Sequence, residues 1–399
     1  MAMVFILLWF LLGLSLGIAA GLIPGLHPNT VLTLAVAFSF LGGLGPLGAL
    51  AFVVSMSMSN SVINFIPSIF IGAPEPDSCL SVLPGHRMLL EGRGFEALRL
   101  AVIGGLGVCF LTAAALPLLL WALPAIYQGT RGYMLWLLIA VVGLLFAQEG
   151  RGRLPATAAI FAASGIAGWL LLQSFPEEVV LFPAFTGLFG IPVALAGAAR
   201  RASFPKQKKA GKAACKWLKG TVAGWLAGLF VGILPGIGPA QAGVLASRAL
   251  RGNEKDFLVA LGGIGSANMV FTFIALHSLG KTRSGAAWAL SQVMGSVTLW
   301  EVAFAVAIAL VSCVISSFFA LRAGRLLLGA MERTDYRKLN VAVLALMAVL
   351  LAALAGPGGI LIASACTLIG LACGRLGVKK MHMMGFLMLP TMIYFAGAA

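Results

Sequence analysis

Charge is what this sequence has least of. Only 10% of its 399 residues are Asp, Glu, Lys or Arg, against about 25% in soluble domains. None of them precedes Glu75. An uncharged stretch of that length far exceeds the ~20 apolar residues of one membrane crossing. It excludes a water-soluble N-terminal domain and implies several embedded passes. Met1 to Leu22 lacks the basic start of a cleavable signal and runs on into more apolar sequence, so it reads as the first pass itself.

Other absences narrow the function. There is no Walker-type phosphate loop and no soluble stretch long enough for an ATPase domain, so energy coupling must come from an ion or substrate gradient. There is no HExxH motif, no paired helical aspartates and only four histidines, which leaves an intramembrane enzyme without a nucleophile, base or metal set. The chain is read as a non-enzyme with no cofactor and no assignable metal site. Its six cysteines, Cys79, Cys109, Cys215, Cys313, Cys366 and Cys373, lie far apart or inside apolar runs and read as packing residues.

What remains is 60% hydrophobic, with a mean hydropathy of +1.03. Uncharged runs extend from Leu100 to Thr130, Gly132 to Gln148, Leu154 to Pro176, Val179 to Ala199, Gly220 to Ser247, Phe257 to Gly280, Val302 to Leu321 and Leu339 to Gly374. Together they predict an all-α polytopic membrane protein with roughly ten hydrophobic passes, some of them broken. The net charge of +15 collects between these runs, where chains meet lipid headgroups, and is no nucleic-acid signature.

The clearest polar break, Arg200 to Lys219, carries Arg200, Arg201, Lys206, Lys208, Lys209, Lys212, Lys216 and Lys219 and no acid. The positive-inside rule makes it a cytoplasmic loop of a cell-membrane protein; a site for acidic lipid or a partner is the alternative. It divides the chain into an N-terminal transmembrane repeat (1–199), a basic linker (200–219) and a C-terminal transmembrane repeat (220–399).

The halves are related. At an offset of 211, Gly13, Gly17, Gly21, Pro24, Gly25 and Pro28 recur as Gly224, Gly228, Gly232, Pro235, Gly236 and Pro239. At an offset of 208, Asn60, Phe65, Ile66 and Gly72 recur as Asn268, Phe273, Ile274 and Gly280. Duplicated halves with Gly/Pro-interrupted segments are a recurring plan of secondary transporters, in which the two interruptions meet near the bilayer midplane. About seven apolar segments in the first half, an odd number, would insert the second half inverted.

Pro24-Gly25 and Pro235-Gly236 break their helices by removing backbone donors and permitting turns. Broken backbone at membrane depth is tolerable only inside protein or beside a wet cavity. Asn29, Thr30 and Gln241 follow the breaks, where a new helix N-terminus would offer free N–H groups to an anion. Kinks or close helix contacts are the bland reading of the same residues. Asn60 and Asn268, within polar stretches that include Ser55, Ser57, Ser59, Ser61, Asn64, Ser266 and Thr272, are assigned to substrate contact or to interhelical hydrogen bonding.

Ionisable residues flank these blocks. Lys281 and Arg283 would hold a carboxylate or phosphate, Arg283 by a bidentate fork. Glu75 maps onto Arg283 at the 208 offset; Glu75 and Asp77 would bind a coupling cation or gate against the basic pair, or lie in a solvated loop. Glu301, between two uncharged runs, would couple protons or cations or be an interfacial carboxylate. His27 lies within the first break, opposite Gly238, and reads as a packing histidine.

Gly21 to Pro28, Gly232 to Pro239, Ile66 to Pro74 and Leu83-Pro84-Gly85-His86, with Ser266-Ala-Asn268 and Gly280 to Gly285, resemble the large permease subunit of tripartite tricarboxylate transporters, in its shorter archaeal-type branch. That resemblance implies two inverted halves, a midplane anion site at the broken segments, and Na+- or H+-coupled carboxylate uptake. It also implies a small membrane subunit and an extracytoplasmic binding protein as partners. The sequence departs from the family's glycine-rich acidic patterns at Ala73-Pro74-Glu75 and Leu83 to His86. The reading is a secondary transporter for a di- or tricarboxylate by alternating access. A polyprenyl-phosphate or other lipid-phosphate translocase is the alternative, and a structural or receptor membrane protein the alternative of another class.

Overall fold

The computed structural model describes residues 2–23, 28–37, 39–71, 82–199, 205–208, 217–233, 239, 242–243, 246, 250, 253–280, 282, 284–331 and 335–397. All regular structure among them is helical. The first half contains α1 (Ala2–Leu22), α2 (Pro28–Ala37), α3 (Pro46–Ile63), α4 (Phe65–Phe70), α5 (Val82–Leu90) and α6 (Gly94–Ala114). Then follow α7 (Leu116–Arg131) and α8 (Met134–Phe146), bent against each other by 88°. The half closes with α9 (Leu154–Ser174), α10 (Glu177–Phe185) and α11 (Ile191–Ala198). After the basic segment come α12 (Trp217–Ile233), α13 (Glu254–Leu279), α14 (Gly285–Met294), α15 (Leu299–Met331), α16 (Tyr336–Leu350), α17 (Gly356–Arg375) and α18 (Gly385–Phe395).

Among the described residues eight helical stretches are long and apolar enough to cross a membrane, or up to nine if the bent α7–α8 pair is one span. The chain is an all-α polytopic membrane protein. Uncharged runs and helices do not correspond one to one. The stretch before Glu75 places the ten-residue α2 between two long helices, and Arg337–Arg375 is a continuous 39 residues.

Local chemistry sets several boundaries. Asn253 caps α13 by accepting the Lys255 and Asp256 amides at 3.1 and 3.4 Å, and Gly280 ends it at φ 60, the left-handed turn that glycine adopts without strain. Ser284 caps α14 and Asp335 caps α16 in the same way. α1 turns Met3, Phe5, Leu8 and Leu12 outward, a face suited to lipid. α3, which carries no charged residue, is buried from Gly48 to Ile63, its serines and Asn60 included.

The duplicated glycines explain how the inner helices are held. A Cβ on Gly13, Gly17 or Gly21 of α1 would strike α3 at Phe52, at Met56 and Ser59, and at Ile63. A Cβ on Gly224, Gly228 or Gly232 of α12 would strike α13 at Ala260, Ala267 and Phe271. Phe52, Ser59 and Ile63 lie 208 residues before Ala260, Ala267 and Phe271. Both halves thus use one contact register, with glycine letting backbones approach as small residues do in membrane helix pairs. α1 and α3 are further joined by Ser55 Oγ to Phe10 O at 3.0 Å and Ser59 Oγ to Leu14 O at 3.2 Å.

The halves interlock. α6 of the first packs along α13 of the second, where Gly104 faces the Val259 carbonyl and Gly262 the Ala101 carbonyl. Glu96 meets Lys255 at one end and Gly105 meets Ser266 further along, so these helices run parallel. α15 of the second half packs on α3 of the first and also along α6. Phe95 lies under the Arg325 guanidinium at 4.8 Å, Leu98 meets Gly324, and the Cys109 and Cys313 thiols adjoin. α6 and α15 therefore run antiparallel.

Gly104→Val should lower stability by about 1–3 kcal/mol, the cost of overpacking a tight contact, because its Cβ would press on backbone. Gly329→Val, with open space around it, should leave the thermal midpoint in detergent unchanged. Equal midpoints for both variants would contradict the interlock.

Candidate functional site

α1 ends at Leu22, Ile23 is already out of the helix, and α2 starts at Pro28. The described part of α12 runs to Ile233, the residue equivalent to Leu22 at the 211 offset. The end of α1 just ahead of Pro24 has a physical cause: proline supplies no N–H, and it disfavours the helical conformation in the residue before it. Asn29 and Thr30 occupy the first turn of α2. Pro24, Gly25, His27, Pro235, Gly236, Gln241, Glu75, Asp77, Lys281 and Arg283 lie outside the described residues.

The described part of the site is where α3 meets α13. Ser61 Oγ lies 3.1 Å from the position a Cβ would take on Gly265, one residue from Asn60 and three from Asn268. A narrow cleft opens beside this point, lined by Ser61 of α3, Phe65 of α4, Gly105 of α6, and Gly262 and Ser266 of α13. It has no room for a water-sized molecule. Asn60 is buried and Asn268 half-buried.

Polar atoms here are left over. Ser57 Oγ, Asn60 Nδ2 and Thr272 Oγ1 are buried without a hydrogen-bond partner among the described residues. Each such group costs about 1–3 kcal/mol, and native proteins rarely leave one unexplained. Ser57 and Asn60 of α3 and Asn64 just after it follow one another at helical spacing, and Gly265, Asn268 and Thr272 are their equivalents on α13, polar at two of the three positions. The two helices approach each other at Ser61 and Gly265. This arrangement can donate hydrogen bonds to an oxygen-rich ligand.

Other predicted residues have plainer surroundings. Glu301 accepts from the Thr298 amide at 2.7 Å and hydroxyl at 2.8 Å, and its own amide faces Thr298 Oγ at 3.4 Å. This reciprocal capping box starts α15. Gly85 and His86 pack on Ile69, with His86 Nδ1 at 3.0 Å from the Ile69 carbonyl, so two separated motif segments are neighbours.

An ionic network was not foreseen from sequence. Arg87 pairs with Glu254, and Glu96 is held by Arg93 and Lys255, each at 2.9 Å. Gln207 of the basic segment accepts the Gly94 amide at 2.9 Å and donates to the Leu89 carbonyl at 3.1 Å. These contacts gather the starts of α6 and α13 and the described part of the linker on one face. The signal was present only as separate charges, and the pairing depends on the interlocked topology.

The sequence model described as "Tripartite tricarboxylate transporter TctA family" matches residues 7–385 of this chain. A protein of Methanocaldococcus jannaschii described as uncharacterized is 29% identical over 390 residues, covering 92% of this chain and 94% of its own. No solved structure matches the chain.

Asn60→Leu discriminates between the two roles of the orphaned amide. Replacing an unpaired buried polar group by an apolar one of similar shape should change stability by less than about 1 kcal/mol or raise it, while transport is lost. A marked fall in the thermal midpoint with uptake intact would make Asn60 structural. Glu301→Gln should cost no more than about 1 kcal/mol through its weakened cap, read as a small fall in the same midpoint.

Proposed function

The chain belongs to the tripartite tricarboxylate transporter TctA family, the permease component of such transporters, and from that we propose a secondary active permease for a di- or tricarboxylate. The observation that carries this reading is the approach of α3 to α13 at Ser61 and Gly265, with Asn60 Nδ2, Ser57 Oγ and Thr272 Oγ1 buried and without a hydrogen-bond partner among the described residues of these helices. Asn60 and Asn268 orient the substrate's oxygens. The helix ends at Pro24-Gly25 and Pro235-Gly236, with Asn29, Thr30 and Gln241, meet its charge through free amides. Lys281 and Arg283 supply positive charge. Glu75 and Asp77, with Glu301 at the capped start of α15, are the acidic groups available for gating or for coupling to Na+ or H+.

Alternating access follows if the halves are inverted. Antiparallel α6 and α15, which occupy comparable places after the inner helix of each half, support inversion. Gathering of residues 206–208, with Lys206 and Lys208, beside Arg93 and Lys255 at the starts of α6 and α13 supports a cytoplasmic face of a cell-membrane protein there. The family's tripartite description supports a small membrane subunit and an extracytoplasmic binding protein as partners.

Purified protein in liposomes, with accessory subunits added or withheld, should accumulate citrate-like acids under an imposed Na+ or H+ gradient and leave a polyprenyl phosphate in its original leaflet. Flipping of the lipid without acid uptake would replace this reading with the translocase. Arg283→Ala should weaken acid binding at least about tenfold, the scale of one lost charge-assisted hydrogen bond, and Arg200→Ala should leave it unchanged. Equal small losses would remove Arg283 from the site.

A further inference from the structure

Away from the central crossing, a carboxylate and an imidazole are buried together. Glu149 lies in the turn between α8 and α9, and His382 in a 3-10 turn, Lys380–Met384, between α17 and α18. The His382 side chain is 0% exposed and that of Glu149 2%. Nε2 of the ring is 3.2 Å from Glu149 Oε1, which also accepts the Lys379 amide at 3.2 Å. Phe146 meets the ring edge-on at 5.3 Å. The other ring nitrogen, Nδ1, is buried with no partner among the described residues.

The pair joins two corners distant in sequence. Arg153 donates to the Gly377 carbonyl at 3.1 Å, Lys379 Nζ to the Gln148 carbonyl, and Ser164 Oγ to the His382 carbonyl at 3.5 Å. Apart from Glu149, the charged residues of the segments that carry the pair are basic: Lys379 and Lys380 in the loop of His382, Arg151 and Arg153 in the α8–α9 turn, and Arg375 at the end of α17. The Cys373 thiol, also on α17, donates to the Val378 carbonyl. α8, α9 and α18 contribute no charged residue.

We propose that Glu149 and His382 form a proton-binding site whose unprotonated form clasps the α8–α9 corner to the α17–α18 corner and whose protonation on acidification loosens it. A neutral ring donates Nε2–H to Glu149 and leaves Nδ1 as an acceptor with an unfilled lone pair. A second proton would turn Nδ1 into a buried donor with nothing to receive it. Burial pushes the His382 pKa down, and Glu149 opposes that only in part. A folded value below the unfolded ~6.5 means that the clasp's contribution is complete above ~6.5. It is lost as pH falls from there toward the folded value.

Hydrogen exchange of the full-length protein in micelles, followed by mass spectrometry and corrected for intrinsic rates, tests this on peptides covering 377–385. Between pH 8 and 5.5 the wild type should lose protection by up to about tenfold per pH unit across the window, as linkage requires. His382→Gln keeps an amide donor for Glu149 but cannot titrate, and its protection should be flat. Glu149→Gln removes the charge that favours the imidazolium and should move the loss to lower pH. Flat protection in the wild type, a parallel loss in His382→Gln, or an unmoved transition in Glu149→Gln would overturn the proposal. The wild-type profile decides it alone if a variant does not fold.

Discussion

Close backbone approach between glycine-faced outer helices and two buried inner helices is the constraint on which this structure depends. In lipid no hydrophobic force draws one helix onto another, so packing area and interhelical hydrogen bonds must do it. Gly13, Gly17 and Gly21 do this for α3, and Gly224, Gly228 and Gly232 for α13, each against the equivalent partner in its own half. Gly104 and Gly262 then close α6 onto α13 through backbone oxygens. With the inner helices held this tightly, polar side chains can sit at their crossing without meeting lipid.

The same constraint shapes the chemistry of the centre. α3 carries Ser55, Ser57, Ser59, Asn60 and Ser61 at full burial. Ser55 and Ser59 are satisfied by carbonyls of α1, whereas Ser57 and Asn60 point a hydroxyl and an amide at no described acceptor. One side of the helix is thereby fastened and the other is left with hydrogen-bonding capacity. That division separates scaffold from site within a single stretch of 18 residues.

Much of the architecture was legible in the sequence because membrane helices announce themselves by missing charge, and because the repeat preserves spacing. The end of α1 at Leu22 follows from Pro24, and the shared contact register follows from the recurring glycines. Asn60 and Asn268 stood out as polar residues in apolar context, and both lie beside the crossing. Tertiary pairing was not legible. Nothing in the spacing of Glu96, Lys255 and Gln207 says that one face gathers them. Glu301 looked costly because its run was apolar, while its carboxylate is satisfied three residues back by Thr298. Glu149 and His382, separated by more than half the chain, gave no local signal at all.

The exchange of partners between the halves also bears on biogenesis. α3 is covered by α15, and α13 by α6, so neither half has a finished surface of its own. During synthesis the serine- and asparagine-rich side of α3 enters the bilayer long before the ribosome reaches residue 299. Until then α1 can satisfy Ser55 and Ser59, but the later helix that packs on α3 in the folded chain is not yet there to cover it.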